Sequence, residues 1–441
     1  MLKGSAFILI LSLLGEGLGL IMIMIVGNYY SVAEAGLLLT LQNNLFLFGT
    51  IGSLGLGTGF LRFAPHYLES GRLDTVRGLQ RWIYGVALAG LALTAVGHTA
   101  FLLWSEETRA MGTGLAVAAS VAILFWGLVT LDRQLLRSLK QIFWSEFSYQ
   151  VIRPVGGTLI LAAALLWGGG TGAIVAALLL PLVGGFFYDL WRISRRIGGL
   201  AGPADYAPRR EWQASAPHYA VINLSRVALQ RLDLLVVAAM LGLEAAAIYG
   251  LAARLATLST LAVEPIRSMF QPRASLHHKQ GRTEELQRDV VQGTLWIAVV
   301  SLVVAVVFLT SAPFWLQLFG DVSGGRQSIV LLFILLFGYF VMANSSVASA
   351  LLLMTGSERI QGRVNAVLIF LVYPPALWLG ITWFGLYGAA VATALVRTVG
   401  AVVMIWLTWR RTGILAIAKP SWRNLVTAFG PLVSRLGRRG R

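Results

Sequence analysis

Apolar stretches recur along nearly the whole chain, each about as long as the 20 residues needed to cross a hydrocarbon core of about 30 Å. They predict membrane-spanning helices at 5–26, 37–61, 82–104, 113–132, 147–167 and 171–191. A second set follows at 216–241, 246–268, 290–311, 327–354, 363–382 and 386–408. The breaks between them alternate in character. Those at 27–36, 105–112, 168–170, 242–245, 312–326 and 383–385 are short and almost free of basic residues. The longest break, 192–215, is basic and contains Gly202, Pro203 and Pro208. It parts the spans into six and six. The expected fold is an all-α integral membrane protein of twelve transmembrane helices in two six-helix lobes. Residues 1–200 form the first lobe, 201–412 the second and 413–441 a basic amphipathic tail.

Charge fixes the orientation. Of 35 Lys and Arg residues, 28 fall in the termini and in alternate breaks, and only Arg109 and Arg326 fall in the others. Positive loops stay cytoplasmic during insertion, so the pattern predicts a multi-pass inner-membrane protein with both termini in the cytoplasm. A hydrophobic fraction of 57% against 12% charged residues excludes a soluble domain. The net charge of +16 would otherwise suggest nucleic acid. Here the inward loops account for it, and anionic lipid headgroups are the expected partner. With no Cys and five scattered His, the chain offers no thiolate chemistry and no metal-ligand spacing.

The two halves echo each other. Ala35-Gly36-Leu37 matches Ala246-Ala247-Ile248, and Phe63–Pro65–Gly71–Arg72 matches Arg273–Gly281–Arg282, at an offset near 210. Gly-Thr-Gly-Ala at 170–173 matches Gly-Leu-Tyr-Gly-Ala-Ala at 385–390. Secondary transporters use such repeats for alternating access.

Charges within the spans carry the candidate chemistry, because each costs roughly 2.5–3.5 kcal/mol at mid-membrane unless it faces a partner or water. Asn223, Arg226, Gln230 and Asp233 follow steps of three, four and three, which place them on one helix face. Arg231 lies about 140° around from Arg226. Arg254 and Arg397 lie well inside the eighth and twelfth spans, and Arg153 lies a turn or two inside the fifth. The two deep carboxylates are Glu16, within Gly15-Glu16-Gly17, and Asp233. Asp132, Asp189 and Glu264 lie at inward span ends, where water is expected to reach them. Five deep cations against two anions predict a net cationic cavity for an anionic headgroup, with guanidinium forks matched to phosphate oxygens. The alternative is internal neutralisation, with Glu16 and Asp233 each paired to an Arg and the remaining Arg residues snorkelling. Arg153 lies close enough to the inner interface to snorkel. Glu16 could instead carry a coupling proton or sodium ion. Beyond the last span, Trp422, Leu425, Val426, Phe429 and Leu432 keep helical spacing among basic residues, as an interfacial helix would.

Gly52-Ser53-Leu54-Gly55-Leu56-Gly57 leads into Leu61-Arg62-Phe63-Ala64-Pro65 and Gly71-Arg72. This resembles the second span and first inward loop of Wzx-type oligosaccharide-lipid flippases. Arg231-Leu232-Asp233-Leu234-Leu235, Ile248-Tyr249-Gly250-Leu251-Ala252-Ala253-Arg254-Leu255 and Gly385-Leu386-Tyr387-Gly388-Ala389-Ala390 are similar to later parts of that family. The resemblance implies the polysaccharide transporter branch of the multidrug/oligosaccharidyl-lipid/polysaccharide exporter superfamily, with two lobes around a central cavity. It implies translocation of an undecaprenyl-pyrophosphate-linked oligosaccharide repeat unit to the periplasmic leaflet by alternating access, for O-antigen, capsule or exopolysaccharide synthesis. A polysaccharide polymerase complex is an implied partner. No cofactor is expected, and coupling to membrane potential, H+ or Na+ is left open. Moving negative charge outward gains about 2.3 kcal/mol per charge per 100 mV. A cation-coupled multidrug exporter of the same superfamily is the competing expectation, kept alive by Glu16. An enzyme of polysaccharide assembly is disfavoured, because the largest outward loop has only Asp321 and Arg326 as ionisable groups.

Overall fold

The computed structural model describes residues 2–197, 202–260, 263, 266, 277, 280, 282–320, 324–354 and 358–417. Among these residues the chain is wholly helical, with ten segments long and apolar enough to cross a membrane. Eight are single crossings: α1 (Leu2–Tyr29), α2 (Val32–Ser53), α3 (Leu73–Trp104), α4 (Thr113–Ser138), α5 (Ile142–Trp167), α6 (Thr171–Ile197), α9 (Thr283–Thr310) and α10 (Arg326–Leu352). The other two, Arg209–Leu258 and Ile360–Thr412, hold 50 and 53 residues. At 1.5 Å per residue each is about 75 Å or more in length, far beyond one bilayer. Each breaks at one glycine in the left half of φ space, Gly242 (φ 91°) and Gly385 (φ 56°), a conformation costly for any residue with a Cβ. The breaks define α7 (209–241) and α8 (243–258), then α11 (360–384) and α12 (386–412). Twelve spans result, at the expected places.

One expected span is interrupted. The 37–61 stretch ends its first helix at Ser53, passes through Leu54 (φ 51°) and Gly55 (φ 60°), and resumes as Gly57–Glu69. Hydrophobicity alone does not register such a break, because Leu54 and Leu56 are as apolar as a continuous helix would require.

Packing separates the chain into two compact units, Met1–Gly250 with Gln317–Ser323, and Leu251–Leu316 with Gly324–Arg441. The lobe boundary expected at 200/201 follows sequence similarity, whereas these units follow contact. Residues 201–250 pack with the first six spans for identifiable reasons. Trp212, almost fully buried, donates its Nε1–H to Tyr67 Oη at 3.0 Å within a core of Phe60, Leu79, Ile83 and Leu135. Gly36 of α2 abuts the backbone of Leu243 so closely that a Cβ there would run into the Leu243 carbonyl. The basic connection is held by the N-terminal turns of α3. Arg77 Nε donates to Ile197 O at 2.9 Å and Nη1 to Pro203 O at 3.0 Å, while Arg81 Nη2 donates to Gly202 O. These side chains satisfy carbonyls at and beyond the C-terminus of α6, where cations are favoured. Asp205 closes the same contact, accepting from Thr75 Oγ1 (2.9 Å), Arg72 Nη2 (3.1 Å) and the Ala207 N–H (2.8 Å).

Two further features repeat between the halves. In α5 a π-helical turn, Ser148–Ile152, precedes Arg153-Pro154; in α11 a π-helical turn, Leu368–Val372, precedes Tyr373-Pro374-Pro375. A proline inside a helix removes an N–H and clashes with the preceding turn, and a π-turn absorbs both. The second unit is held by a core of Leu286, Val290, Ile297, Ala348 and Leu351. Gln287 ties the strand-like exit of α12 to α9, donating to Leu415 O and accepting from Leu415 N, both at 3.0 Å. Most of the amphipathic tail, together with Glu264, Arg267, Arg273, Lys279, Gly281 and Asp321, lies outside the described residues.

Candidate anion site

The intramembrane arginines of the first unit lie on a ladder of aromatic rings. Arg231 places its guanidinium 4.1 Å from the Phe46 ring centroid. Phe46 meets Trp126 at 4.3 Å, and Trp126 meets Tyr149 at 5.3 Å. Arg153 lies 5.0 Å from Trp126 and 4.6 Å from Tyr149, and Arg133 lies 4.0 Å from Tyr149. Arg226 interacts electrostatically with both Tyr149 and Arg133. Local structure explains the assembly. A Cβ on Gly49 would collide with the Trp126 ring, so glycine there lets the indole seat against α2. The π-turn in α5 carries Tyr149 and delivers Arg153 directly after it.

Arg133 and Arg137 share Glu146, whose side chain is fully buried. Arg133 forks onto it, with Nη2 at 2.6 Å from Oε2 and Nε at 3.3 Å from Oε1; Arg137 Nη2 is 2.6 Å from Oε1. Five guanidiniums (Arg133, Arg137, Arg153, Arg226, Arg231) thus share one unit with three carboxylates, Glu146, Glu16 and Asp233. These guanidiniums outnumber those three carboxylates, and Asp132 and Asp189 of the same unit are bonded instead to Tyr84 and Ser148. A guanidinium stacked on an aromatic face bonds through its edge, as Arg133 does to Glu146 and Arg153 Nε does to Tyr149 O at 3.2 Å, and such edges also match phosphate oxygens.

The remaining expected site residues divide. Asn223 bonds to the α2 break, donating to Gly55 O (3.3 Å) and Thr58 Oγ1 (3.0 Å), and Arg226 Nη2 reaches its Oδ1 at 3.5 Å. Gln230 is exposed, as is Arg226. Asp233 is buried and accepts from Tyr249 Oη at 3.0 Å and from the Leu234 N–H, which fastens α7 to α8. The four-residue face read from the sequence is therefore a stripe about 80° wide whose edges meet different neighbours. Glu16 is half-buried beside Gly15, which packs against Gln150 at the π-turn. The Arg153 guanidinium lies against two rings, and its Nε donates to Tyr149 O at 3.2 Å. Arg254 and Arg397 belong to the second unit. Arg397, 2% exposed, stacks on Tyr339 at 3.9 Å and donates to its Oη at 3.1 Å, and Tyr339 Oη also bonds Thr257 Oγ1 at 2.8 Å.

Sequence reading missed Glu146, Arg133, Tyr149, Trp126 and Phe46 as site residues. Each looks ordinary alone, a loop arginine or an apolar-span aromatic, and only packing of α2, α4, α5 and α7 joins them. It also misplaced Asp132 and Asp189. Both are 0% exposed, since α3, α5 and α6 close over the C-terminal end of α4.

No protein-family profile matches the chain, and no curated protein sequence matches it. Solved structures do. A lipid II flippase, MurJ, in an inward closed conformation aligns with a TM-score of 0.72 at 13% identity, covering 97% of this chain and 93% of that one. An inward-facing multidrug resistance MATE family transporter of the MOP superfamily aligns at 0.71 and 14% identity, covering 90% and 94%. A Vibrio cholerae MATE transporter, VcmN, aligns at 0.64 and 14%, covering 93% and 95%. At these identities the likeness is one of fold, and the proteins that share it are transporters and a flippase, not enzymes. This chain is a multi-pass membrane protein with the helical fold of MOP-superfamily transporters.

Proposed function

We propose that the protein is a flippase for an undecaprenyl-pyrophosphate-linked oligosaccharide repeat unit, moving it from the cytoplasmic to the periplasmic leaflet of the inner membrane. The observation that carries this reading is the guanidinium–aromatic ladder. Five guanidiniums gathered in one unit attract an anion, and a pyrophosphate offers several acceptor oxygens to planar forks. A site for cationic drugs would carry the opposite sign, so electrostatics favours the anionic lipid over the multidrug reading that the fold alone permits. Direction follows from charge, since a pyrophosphate leaving a negative interior gains about 2.3 kcal/mol per charge per 100 mV. Both termini are assigned to the cytoplasm from the loop-charge asymmetry.

The test is surface-glycan restoration in a host lacking its own flippase, carrying the glycan locus native to this protein. Wild type restores glycan. Arg153→Ala, Arg226→Ala and Arg231→Ala, inserted at wild-type levels, lose most of it. Lysine at the same positions does not rescue, because an ammonium neither stacks nor forks. Full activity in all three alanine variants would sink the anion-site reading and return the drug-exporter reading to the front.

A further inference from the structure

Behind the ladder lies a second group of ionisable residues that the proposed anion site does not use. Asp132 of α4 and Asp189 of α6 are both fully buried. Tyr84 Oη of α3 donates to Asp132 Oδ1, and Ser148 Oγ of the α5 π-turn donates to Asp189 Oδ2 at 2.6 Å. The other oxygen of each, Asp132 Oδ2 and Asp189 Oδ1, is buried without a hydrogen-bond partner. Asp189 interacts electrostatically with both Asp132 and Tyr84.

Nearby cations do not neutralise the pair. Arg133, adjacent to Asp132 in sequence, is engaged with Glu146 and Tyr149. Arg137 shares Glu146. Arg192 of α6 donates to Gln141 Oε1 and stacks on Trp144 at 4.1 Å. The other groups that face the pair are neutral: Tyr84 and Gln80 from α3, Ser148 from α5 and Tyr188 from α6. Two ionised carboxylates sharing a dry pocket repel each other and forfeit their hydration, each effect costing several kcal/mol. One proton carried by the pair, on either carboxyl, removes the repulsion and converts an orphaned acceptor into a hydroxyl.

The two sites adjoin through neighbouring residues on the same helices. Asp132 precedes Arg133 on α4, and Ser148 precedes Tyr149 on the same π-turn. A net negative charge behind the ladder lowers the positive potential that an anion meets in front of it. Reciprocity then requires that anion binding hold the proton more tightly.

We propose that Asp132 and Asp189 hold one exchangeable proton whose release weakens anion binding at the adjacent arginine ladder. The second clause rests on the anionic-substrate reading; the first stands without it. Exchange requires the helices to part, which ties the proton to a conformational step of transport.

The test uses the full-length protein in lipid, followed by infrared difference spectroscopy from about pH 5 to about pH 9 in choline chloride. Wild type should show a carbonyl band of a protonated carboxylic acid that disappears as pH rises. Asp132→Asn and Asp189→Asn should each lose the titrating band. Ser148→Ala, which keeps both carboxyls, should retain the band with a displaced midpoint and covers the case in which an Asn variant misfolds. Inorganic pyrophosphate should move the wild-type midpoint upward, corresponding to several-fold tighter proton retention. A band absent or unchanged throughout overturns the proton site. A band removed at fixed pH by sodium in place of choline overturns the proton assignment in favour of sodium. A titrating band that pyrophosphate leaves unmoved keeps the proton and overturns its linkage to the anion. Failed glycan restoration with an intact titrating band removes the flippase reading and leaves the proton site standing.

Discussion

The ion triad beneath the ladder allows stability and function to be separated. Glu146 has no exposed side-chain surface, while Arg133 and Arg137 are 18% and 32% exposed, and both reach the carboxylate at 2.6 Å. Removing one member of a buried pair typically costs about 3–5 kcal/mol, because the surviving charge is left desolvated. Glu146→Gln still offers a carbonyl oxygen, and Arg137 is near enough to water to be screened, so the expected loss is roughly 2–4 kcal/mol. Replacing the whole triad by Arg133→Met, Arg137→Met and Glu146→Leu removes three desolvation penalties along with their mutual attraction. Such replacements are often neutral or stabilising by about 1–4 kcal/mol. The triple variant should therefore be at least as stable as wild type while losing two of the five ladder guanidiniums and most of its affinity for inorganic pyrophosphate. Equilibrium unfolding in mixed micelles, followed by far-UV circular dichroism, gives the first quantity, and calorimetric titration gives the second. A triple variant less stable than Glu146→Gln would refute the argument that desolvation dominates here. Unchanged pyrophosphate affinity would refute the role given to Arg133 and Arg137.

Other expectations follow from single contacts. Each ladder arginine that forks onto a phosphate should contribute about 1.5–3 kcal/mol, so Arg226→Ala should weaken pyrophosphate binding by roughly 10- to 150-fold in titration calorimetry. Gly36→Val forces a branched side chain into the Leu243 carbonyl; overpacking of this kind costs about 1–3 kcal/mol or more, read as a lower unfolding midpoint. His98, 1% exposed, lies between Asn44 Nδ2 (3.0 Å) and Ser120 Oγ (2.9 Å). His98→Phe deprives both buried partners and should cost about 1–3 kcal/mol for each left unsatisfied, whereas His98→Gln should retain part of the loss. Asp205 has its carboxyl held below the usual carboxylate range, first by the Ala207 N–H, then by the Thr75 hydroxyl and by Arg72. A depressed folded-state value means this contact stabilises the fold above the usual carboxylate range and is lost as pH falls through the depressed value. Amide protection at 204–207, taken relative to the intrinsic exchange rate at each pH, should fall there, and equal protection at neutral and strongly acidic pH would remove the contact from the account.

Hydrophobic length, loop charge and glycine placement needed no tertiary context. A span is an autonomous element, since its backbone must satisfy its own hydrogen bonds in lipid, and so all twelve could be counted from apolar runs. The turns at Gly242 and Gly385 were placed because a backbone with positive φ has a residue signature of its own. The break at Leu54–Gly55 was not legible, because Leu54 is apolar and the break is tied by Asn223 of α7, which donates to Gly55 O and Thr58 Oγ1. The candidate site divides along the same line. Arg153, Arg226 and Arg231 stood out because an intramembrane charge is conspicuous wherever it occurs. Glu146, Phe46, Trp126 and Tyr149 drew no reading from the sequence, and Arg133 counted only as a basic residue of a loop. Asp132 and Asp189 read as wet until three neighbouring helices were seen to close over them. Cost in the membrane is a property of one residue and can be read from one helix. Whether that cost is met by a ring, a carboxylate or a proton depends on which helices come into contact, and residues far apart in sequence supply the answer.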